Sequence, residues 1–306
     1  MTQPSSNPVE GGPEEADYLP EPASIELSDV GATSLTTLYC RALESTSQSP
    51  LLVDQASVEL TRRLDPLLAS SRSALHRQLL ERRLPPRSIA LVALRARHFD
   101  EYAREFARRQ KPAHIVNLGC GFDTRFQRVD DGLLRFLDVD RSEILRLKRR
   151  HLDYGNRYGW VEGSVLNDRW LAEITADSTA PLFLAEGLLM YLTEAEVRSL
   201  VLRLQARFPG AELVADVIDR RWLRPWIRWA VDIRLRRGFC FGKSARFRSG
   251  LWEGAEMESW GKGIEYLGEW SVLDEDQPKL GFARILRRCE FIRRVHRVVH
   301  YRLNPA

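Results

Sequence analysis

The sequence predicts an α/β fold in which helices cover a mostly parallel sheet, and three stretches support this prediction. Residues 114–118 form an apolar run of strand length that leads directly into Gly119 and Gly121. A second apolar run, at 133–140, ends in two acidic residues separated by a valine. Residues 181–185 are apolar throughout, as expected for a parallel strand that is covered on both faces. Buried strands separated by a glycine turn and helical segments are typical of α/β proteins.

The N-terminal part of the chain predicts helices that pack onto this sheet. Residues 1–28 contain five prolines among many Ser, Glu and Gly residues, and we expect a disordered tail there. The segment 29–111 follows, and its clearest element is a helix over 88–109, where apolar residues recur at helical spacing. Pro85 and Pro86 precede this helix as a start signal.

The turn after the first predicted strand is typical of a nucleoside-binding site. Gly119 and Gly121 let a ligand approach the backbone where a Cβ would block it. Asp140 ends the next strand about 20 residues further on, where a carboxylate can accept both hydroxyls of a ribose. A dinucleotide fingerprint needs a third glycine where Thr124 stands, so a nucleoside without phosphates, such as S-adenosylmethionine, fits better. The alternative is a structural strand–helix turn without a ligand.

Later stretches predict the remaining elements. Ser142 is expected to be the N-cap of a helix that runs to residue 153. Thr193 and Glu196 form a capping box for a helix that ends near residue 208. Periodicity predicts further elements, which are strands at 160–162, 212–217, 263–270 and 291–303 and a helix at 251–260. One of the last two strands should run antiparallel to the rest.

Residues 220–248 predict a helix that presents tryptophans on one face. Trp222 and Trp226 fall at helical spacing, with Arg224 between them. Because the sheet is nearly complete at this point, we expect a cap over the cleft, whose indoles hold a flat, acidic, aromatic acceptor. Tyr191 is a further candidate for the acceptor site. The alternatives are a buried tryptophan face with solvated arginines and, for Tyr191, packing under the next helix.

The composition argues against several other classes of protein. The 306 residues include 46 basic and 42 acidic side chains, and the resulting net charge of +4 does not favour nucleic-acid binding. The four cysteines are scattered without a CxxC pair, so neither a structural zinc site nor a disulfide framework is expected. No apolar run is long enough to span a membrane, and the N-terminus does not resemble a secretory signal. We therefore expect a cytoplasmic protein without metal, nucleic-acid or membrane partners.

Three strings resemble the leucine carboxyl methyltransferase family: NLGCGFDTRF at 117–126, LDVD at 137–140 and LFLAEGLLMYL at 182–192. The closer likeness is to its bacterial branch, the tetracenomycin-type polyketide O-methyltransferases, and it covers residues 32–303. The resemblance implies a class I S-adenosylmethionine-dependent methyltransferase, with a Rossmann-like, seven-stranded, mostly parallel sheet. Its domain at 29–306 would comprise N-terminal helices at 29–111, a cofactor-binding core at 112–218, an inserted cap at 219–262 and final strands at 263–306.

The same resemblance implies a set of residues that bind S-adenosylmethionine. Arg41 and Arg97 would contact the cofactor, and a planar guanidinium such as that of Arg97 suits its carboxylate. The backbone of Ser164 and Val165 would recognise the adenine. The complete expected set is Arg41, Arg97, Gly119, Gly121, Asp123, Asp140, Ser164, Val165 and Glu186. The alternatives are solvated helix arginines and an ordinary loop after the third strand.

No sequence motif supplies a convincing general base. His98 adjoins Arg97, while His296 and His300 fall in a late strand. A carboxylate is ionised at neutral pH and needs no base, whereas a phenol benefits from one. The absence of a base therefore favours methylation of a carboxylate to a methyl ester. The resemblance points the same way and implies a small, polyketide-like acceptor. The alternatives are an O-methyltransferase acting on a phenolic hydroxyl and a non-catalytic S-adenosylmethionine-binding protein.

Overall fold

Helices and strands alternate along the chain after a group of four helices. The computed structural model describes residues 28–152, 154–174, 180–224 and 246–306. The helices are α1 (Asp29–Ser45), α2 (Gln55–Ala69), α3 (Ala74–Leu80), α4 (Pro86–Arg109), α5 (Arg125–Val129), α6 (Ser142–His151), α7 (Glu194–Arg207) and α8 (Glu290–Arg293). The strands are β1 (His114–Leu118), β2 (Arg135–Asp140), β3 (Tyr158–Glu162), β4 (Leu182–Ala185), β5 (Ala211–Ile218), β6 (Ile264–Trp270) and β7 (His296–Leu303).

One sheet contains the seven strands of the described residues, in the order β3-β2-β1-β4-β5-β7-β6. In this order, each pair of neighbouring strands from β3 to β5 is parallel, and β7 runs antiparallel to both β5 and β6. The predicted mostly parallel sheet with one antiparallel strand is therefore confirmed. The chain returns from β3 at the edge to β4 beside β1, so the strand order reverses at β1. Open α/β sheets bind ligands at such a switch point, outside the carboxyl ends of the strands.

The N-terminal helices pack beside the carboxyl end of β1. Leu35 and Leu38 of α1 lie in one buried cluster with Leu60 and Leu64 of α2. Phe122, from the glycine turn after β1, belongs to the same cluster. Burial of this apolar surface holds α1 over the turn at which the sequence predicts a ligand.

Helices α4 and α7 cover opposite faces of the sheet. Phe99 of α4 shares a buried cluster with Leu184 of β4. Leu204 of α7 shares a different cluster with Phe183, the neighbouring residue in β4. Adjacent residues of a strand point to opposite faces, which explains why β4 is apolar at every position.

The sequence predicts the N-terminal cap of α7 correctly but not that of α6. Thr193 accepts a hydrogen bond from the backbone N–H of Glu196, whose carboxylate accepts one from the backbone N–H of Thr193, so the predicted capping box is confirmed. The prediction that Ser142 is an N-cap is wrong, because Arg141 takes that position. The Asp140 carboxylate accepts the backbone N–H of Arg141, which is extended, and the helix begins one residue later.

Three elements in the last third differ from their predicted form. The strand predicted from residue 291 begins only at His296, because the Cys289 carbonyl accepts two N–H groups that start α8. The helix predicted from Leu251 is a 3₁₀ turn over Glu256–Trp260, and Leu251 instead forms a bridge to Asp219. The helix predicted over 220–248 begins as a 3₁₀ turn, and residues 225–245 lie outside the described residues.

None of the helices in the described ranges is both long and apolar enough to cross a lipid bilayer. The same ranges contain no cluster of three or more His, Cys, Asp or Glu side chains arranged to bind a metal ion.

A buried ion pair ties α6 to the sheet. The Lys148 ammonium group contacts the Asp138 carboxylate, and both side chains are completely buried. The Tyr158 hydroxyl donates to the same carboxylate. Burial lowers the pKa of Lys148, but the charge of Asp138 together with other nearby ionisable groups raises it overall. The lysine is therefore charged, and its loss would leave a buried carboxylate without its cation.

We expect Lys148→Met to lower the free energy of unfolding by about 3–5 kcal/mol, because breaking a buried pair leaves one charge uncompensated. Urea denaturation measures this loss. The matched control is Arg146→Met, since Arg146 lies on the same helix with 65% of its side chain exposed. That change should cost less than about 0.5 kcal/mol. Equal losses for the two variants would contradict the assignment.

Candidate active site

A cleft of about 500 Å³ opens at the carboxyl edge of the sheet. Its size falls within the range of small-molecule sites, which is roughly 300–1,000 Å³. The structure brings into its lining eight of the nine residues expected to bind the cofactor, which are Arg41, Gly119, Gly121, Asp123, Asp140, Ser164, Val165 and Glu186. Tyr191, from the acceptor set, also lines the cleft.

The glycine turn at the end of β1 is closely packed and left-handed at both glycines. Gly119 has φ = +61° and Gly121 has φ = +52°, a region that strains other residues. A Cβ at Gly119 would lie 2.8 Å from a methyl group of Leu188. A Cβ at Gly121 would lie 2.8 Å from the Cβ of Ser34 on α1. Both glycines are therefore required by conformation and by space at the floor of the cleft.

The carboxylate of Asp140 stands at the end of β2, beside this turn. One oxygen accepts the backbone N–H of Gly121 and the other accepts that of Arg141, both at 2.7 Å. Burial raises the pKa of Asp140 above its usual value, although these two N–H groups act in the opposite direction. Because a carboxylate has about four acceptor positions, both oxygens keep the capacity to accept a ligand hydroxyl.

Buried arginines and carboxylates alternate beneath the cleft. The Arg125 guanidinium contacts Asp100 of α4, Asp123 of the glycine turn and Glu186 at the end of β4. Its Nη2 lies 2.6 Å from Glu186 Oε2, and Arg95 Nε lies 2.9 Å from Glu186 Oε1. Burial alone would raise the pKa of Asp123, but the charges of Arg125 and nearby arginines hold it well below its usual value.

Asp54, the N-cap of α2, extends this network to the helices above the cleft. Arg41 Nε lies 3.0 Å and Arg128 Nη1 2.7 Å from Asp54 Oδ2. Burial acts to raise the pKa of Asp54, but these two arginines outweigh it and lower the pKa to about 2. Thr124, at the place of the third fingerprint glycine, donates its hydroxyl to Asp54. Its side chain therefore joins α2 to the turn after β1.

Arg41 and Arg95 line the cleft, and each has one guanidinium nitrogen that no described residue contacts as an acceptor. Arg41 uses Nε and Nη2 to contact Asp54, Ser57 and the carbonyl of Phe122, and no described residue accepts from its Nη1. Arg95 uses Nε and Nη1, and no described residue accepts from its Nη2. Both side chains line the cleft, so these nitrogens are available to a ligand carboxylate.

The structure places Arg97, one of the residues expected to bind the cofactor, outside the cleft. Arg97 does not line the cleft, and its Nη2 lies 3.1 Å from Glu275. Arg95 lies in the cleft instead, because two residues along a helix are about 200° apart around its axis. The sequence held a signal for this, since Arg95 follows Val92 and precedes Phe99 at helical spacing within the apolar stripe of α4.

The acceptor residues expected from the tryptophan segment are not brought together. Trp222 stacks on Phe291 with ring centroids 5.0 Å apart and does not line the cleft. Arg224 is exposed, and Trp226 lies outside the described residues. Tyr191 lines the cleft near Phe247, and burial raises the pKa of its hydroxyl. The described residues therefore do not bring Trp222 to the cleft, because its ring stacks on Phe291 of α8.

His296, which no sequence motif identifies as a general base, also lines the cleft. Its Nε2 lies 3.0 Å from Oδ2 of Asp216 on β5. The two residues are 80 positions apart in sequence, so no local motif joins them. Their only sequence signal is that each falls within a predicted strand, Asp216 in 212–217 and His296 in 291–303. Pairing of β5 with β7 brings them to the same edge.

Comparisons with known proteins agree with this geometry. The sequence pattern of the leucine carboxyl methyltransferase family matches residues 34–205, more than half of the chain. The tetracenomycin polyketide synthesis O-methyltransferase TcmP of Streptomyces glaucescens is 29% identical over 288 residues, which cover 91% of this chain and 98% of that protein. The S-adenosyl-L-methionine-dependent methyltransferase dpfgK of Gibberella zeae is 32% identical over 63% of this chain and 66% of its own length.

Among solved structures, a DUF574 family protein from Streptomyces avermitilis shares the fold, with a TM-score of 0.50 and 15% sequence identity. The likeness covers 90% of this chain and all of that chain. The resemblance seen in the sequence and the predicted class I fold are both confirmed. The chain belongs to the leucine carboxyl methyltransferase family and is an S-adenosylmethionine-dependent methyltransferase.

Proposed function

We propose that this enzyme transfers the methyl group of S-adenosylmethionine to an oxygen atom of a small natural-product acceptor. The observation that carries the proposal is the cleft itself, in which the glycine turn, Asp140 and two arginines with a spare nitrogen surround one cavity. The similarity to an O-methyltransferase of polyketide synthesis supports an oxygen acceptor. When bound, the cofactor supplies an electrophilic methyl group on a positively charged sulfur.

Each part of the cofactor finds chemically matched residues in the cleft. Asp140 would accept the ribose hydroxyls, and Gly119 would let the backbone approach the ligand. The spare nitrogens of Arg41 and Arg95 would donate to the amino-acid carboxylate. We place the adenine beside Val165, which lines the cleft after β3, with Ser164 as the neighbouring backbone contact.

Two kinds of oxygen atom are candidates for the methyl acceptor, that of a carboxylate and that of a phenolic hydroxyl. The expectation of a carboxylate rests on the lack of a base in the sequence motifs and on the family resemblance. The position of His296 beside the cleft weakens that argument, because a phenol benefits from a base and a carboxylate does not. A phenolic hydroxyl is therefore a second candidate, and a carboxylic acid converted to its methyl ester remains the first expectation from sequence.

We expect Asp140→Ala to weaken S-adenosylhomocysteine binding by at least tenfold, since each hydrogen bond to a charged group contributes about 1.5–3 kcal/mol. Isothermal titration calorimetry measures this. The matched control is Glu162→Ala, because Glu162 pairs in register with Asp140 at the end of β3 but does not line the cleft. Undiminished affinity in the Asp140 variant, with its fold intact by circular dichroism, would refute the ribose site.

A second titration distinguishes Arg95 from Arg97 on α4. Arg95→Met should weaken S-adenosylhomocysteine binding by about 10- to 100-fold, through loss of a charge-assisted hydrogen bond. Methylthioadenosine lacks the amino-acid carboxylate that Arg95 would bind. Its affinity for the Arg95→Met variant should therefore differ from wild type by less than about threefold, the size of a weak surface ion pair. Arg97→Met should leave both affinities unchanged. A larger effect from Arg97 than from Arg95 would overturn the corrected assignment.

A further inference from the structure

His296, which lines the cleft, forms a hydrogen-bonded pair with Asp216. His296 is the first residue of β7 and lies opposite Ile218, the last residue of β5. Asp216 pairs with Val298, so Asp216 and His296 are diagonal neighbours on one face of the sheet. Their side chains meet at 3.0 Å, with the His296 ring 27% exposed and Asp216 completely buried. The imidazole is therefore anchored by Asp216 and remains partly exposed.

The carboxylate of Asp216 is held in its ionised form. Its oxygens accept the backbone N–H of Gly187 at 2.6 Å and Arg95 Nη1 at 3.0 Å. Burial alone would raise the pKa of Asp216, but the charge of Arg95 and the bond from His296 lower it overall. An ionised carboxylate at Nε2 favours the tautomer in which Nε2 carries the proton. The lone pair of His296 then lies on Nδ1, which has no partner among the described residues.

The charged and titratable groups around His296 come from four elements. Asp216 lies on β5, Arg95 on α4 and Glu186 at the end of β4, where it pairs with Arg95. Tyr191, from the 3₁₀ turn before α7, lines the same cleft with a hydroxyl whose pKa burial raises. Negative and positive groups thus alternate from Glu186 through Arg95 to Asp216, and Asp216 is the charged group that contacts the imidazole.

The same strand carries a second histidine–carboxylate pair that serves as an internal comparison. His300 Nε2 lies 2.8 Å from Glu212 Oε2, on the same face of the sheet but towards the other end of β5. Arg109 and Arg302 also contact Glu212, and none of these residues lines the cleft. A histidine–carboxylate pair on β7 is therefore not in itself a sign of catalysis. What distinguishes His296 is its place in the cleft.

We propose that His296, oriented by Asp216, is the general base for an acidic hydroxyl acceptor such as a phenol. This inference rests on the proposed methyl transfer. His296 Nδ1 takes the hydroxyl proton while the oxygen forms its bond to the methyl carbon, and the carbon–sulfur bond breaks with its electron pair left on sulfur. The imidazolium beside Asp216 then releases the proton to solvent. A carboxylate acceptor would not use this step.

The first test compares 1-naphthol with 1-naphthoic acid as acceptors. His296→Gln should lower kcat/KM for 1-naphthol at neutral pH by about 100- to 10,000-fold, the usual contribution of a general base. The deficit should shrink as the pH rises towards about 10, where phenols ionise without help. S-adenosylhomocysteine affinity should be unchanged. His300→Gln, the matched control, should leave all of these values within about threefold.

A second test measures the ionisation of a bound phenol and needs no catalytic turnover. The absorbance of 7-hydroxycoumarin distinguishes its phenol from its phenolate, and the probe can be titrated with pH on the protein bound to S-adenosylhomocysteine. Bound to wild-type protein, its phenolate should form at lower pH than on His296→Gln, because the imidazole accepts the proton. Should the Gln variant fail to fold by circular dichroism, His296→Ala with added imidazole replaces it, and recovery of naphthol methylation supports the base.

Equal naphthol kinetics and equal coumarin titrations for wild type and His296→Gln would overturn the inference. Methylation of 1-naphthoic acid but not 1-naphthol by wild-type protein would also overturn it, and would leave the proposed methyl transfer standing. Methylation of neither acceptor by protein that binds S-adenosylhomocysteine counts against His296 as a base for phenols. Failure of wild-type protein to bind S-adenosylhomocysteine would instead refute the proposed function.

Discussion

The cleft depends on a continuous set of buried pairs between arginines and carboxylates. Burying a charge costs several kcal/mol unless a partner and further hydrogen bonds compensate it. Arg125 meets this requirement by contacting Asp100 of α4, Asp123 of the glycine turn and Glu186 directly after β4. The three elements that form the floor and wall of the cleft are therefore fixed to one guanidinium. Displacement of any of them would leave a charge unpaired in a dry interior.

This network also connects the proposed cofactor and acceptor sides. Glu186 contacts Arg95, Arg95 contacts Asp216, and Asp216 contacts His296. The proposed carboxylate-binding arginine thus shares Asp216 with the proposed base.

The sheet and the glycine turn were predictable because their signals are local. The apolar runs identified β1, β2 and β4, and left-handed backbone at Gly119 explains why glycine stands there. The pairing of Asp216 with His296 was not predictable, since it arises from the register of β5 against β7 across 80 residues. The resemblance implied Arg97 as a cofactor residue, whereas the structure places Arg95 in the cleft and Arg97 outside it. Only the direction each side chain takes around α4 separates them, and that depends on how the helix sits on the sheet.

The most direct measurement is a crystal structure of the protein bound to S-adenosylhomocysteine. The account predicts the ribose hydroxyls within hydrogen-bonding distance of the Asp140 carboxylate and the amino-acid carboxylate at Arg95 Nη2. It also predicts that the sulfur faces the part of the cleft lined by Tyr191 and His296. A ligand bound in the reverse direction, or bound away from the carboxyl edge of the sheet, would contradict the account.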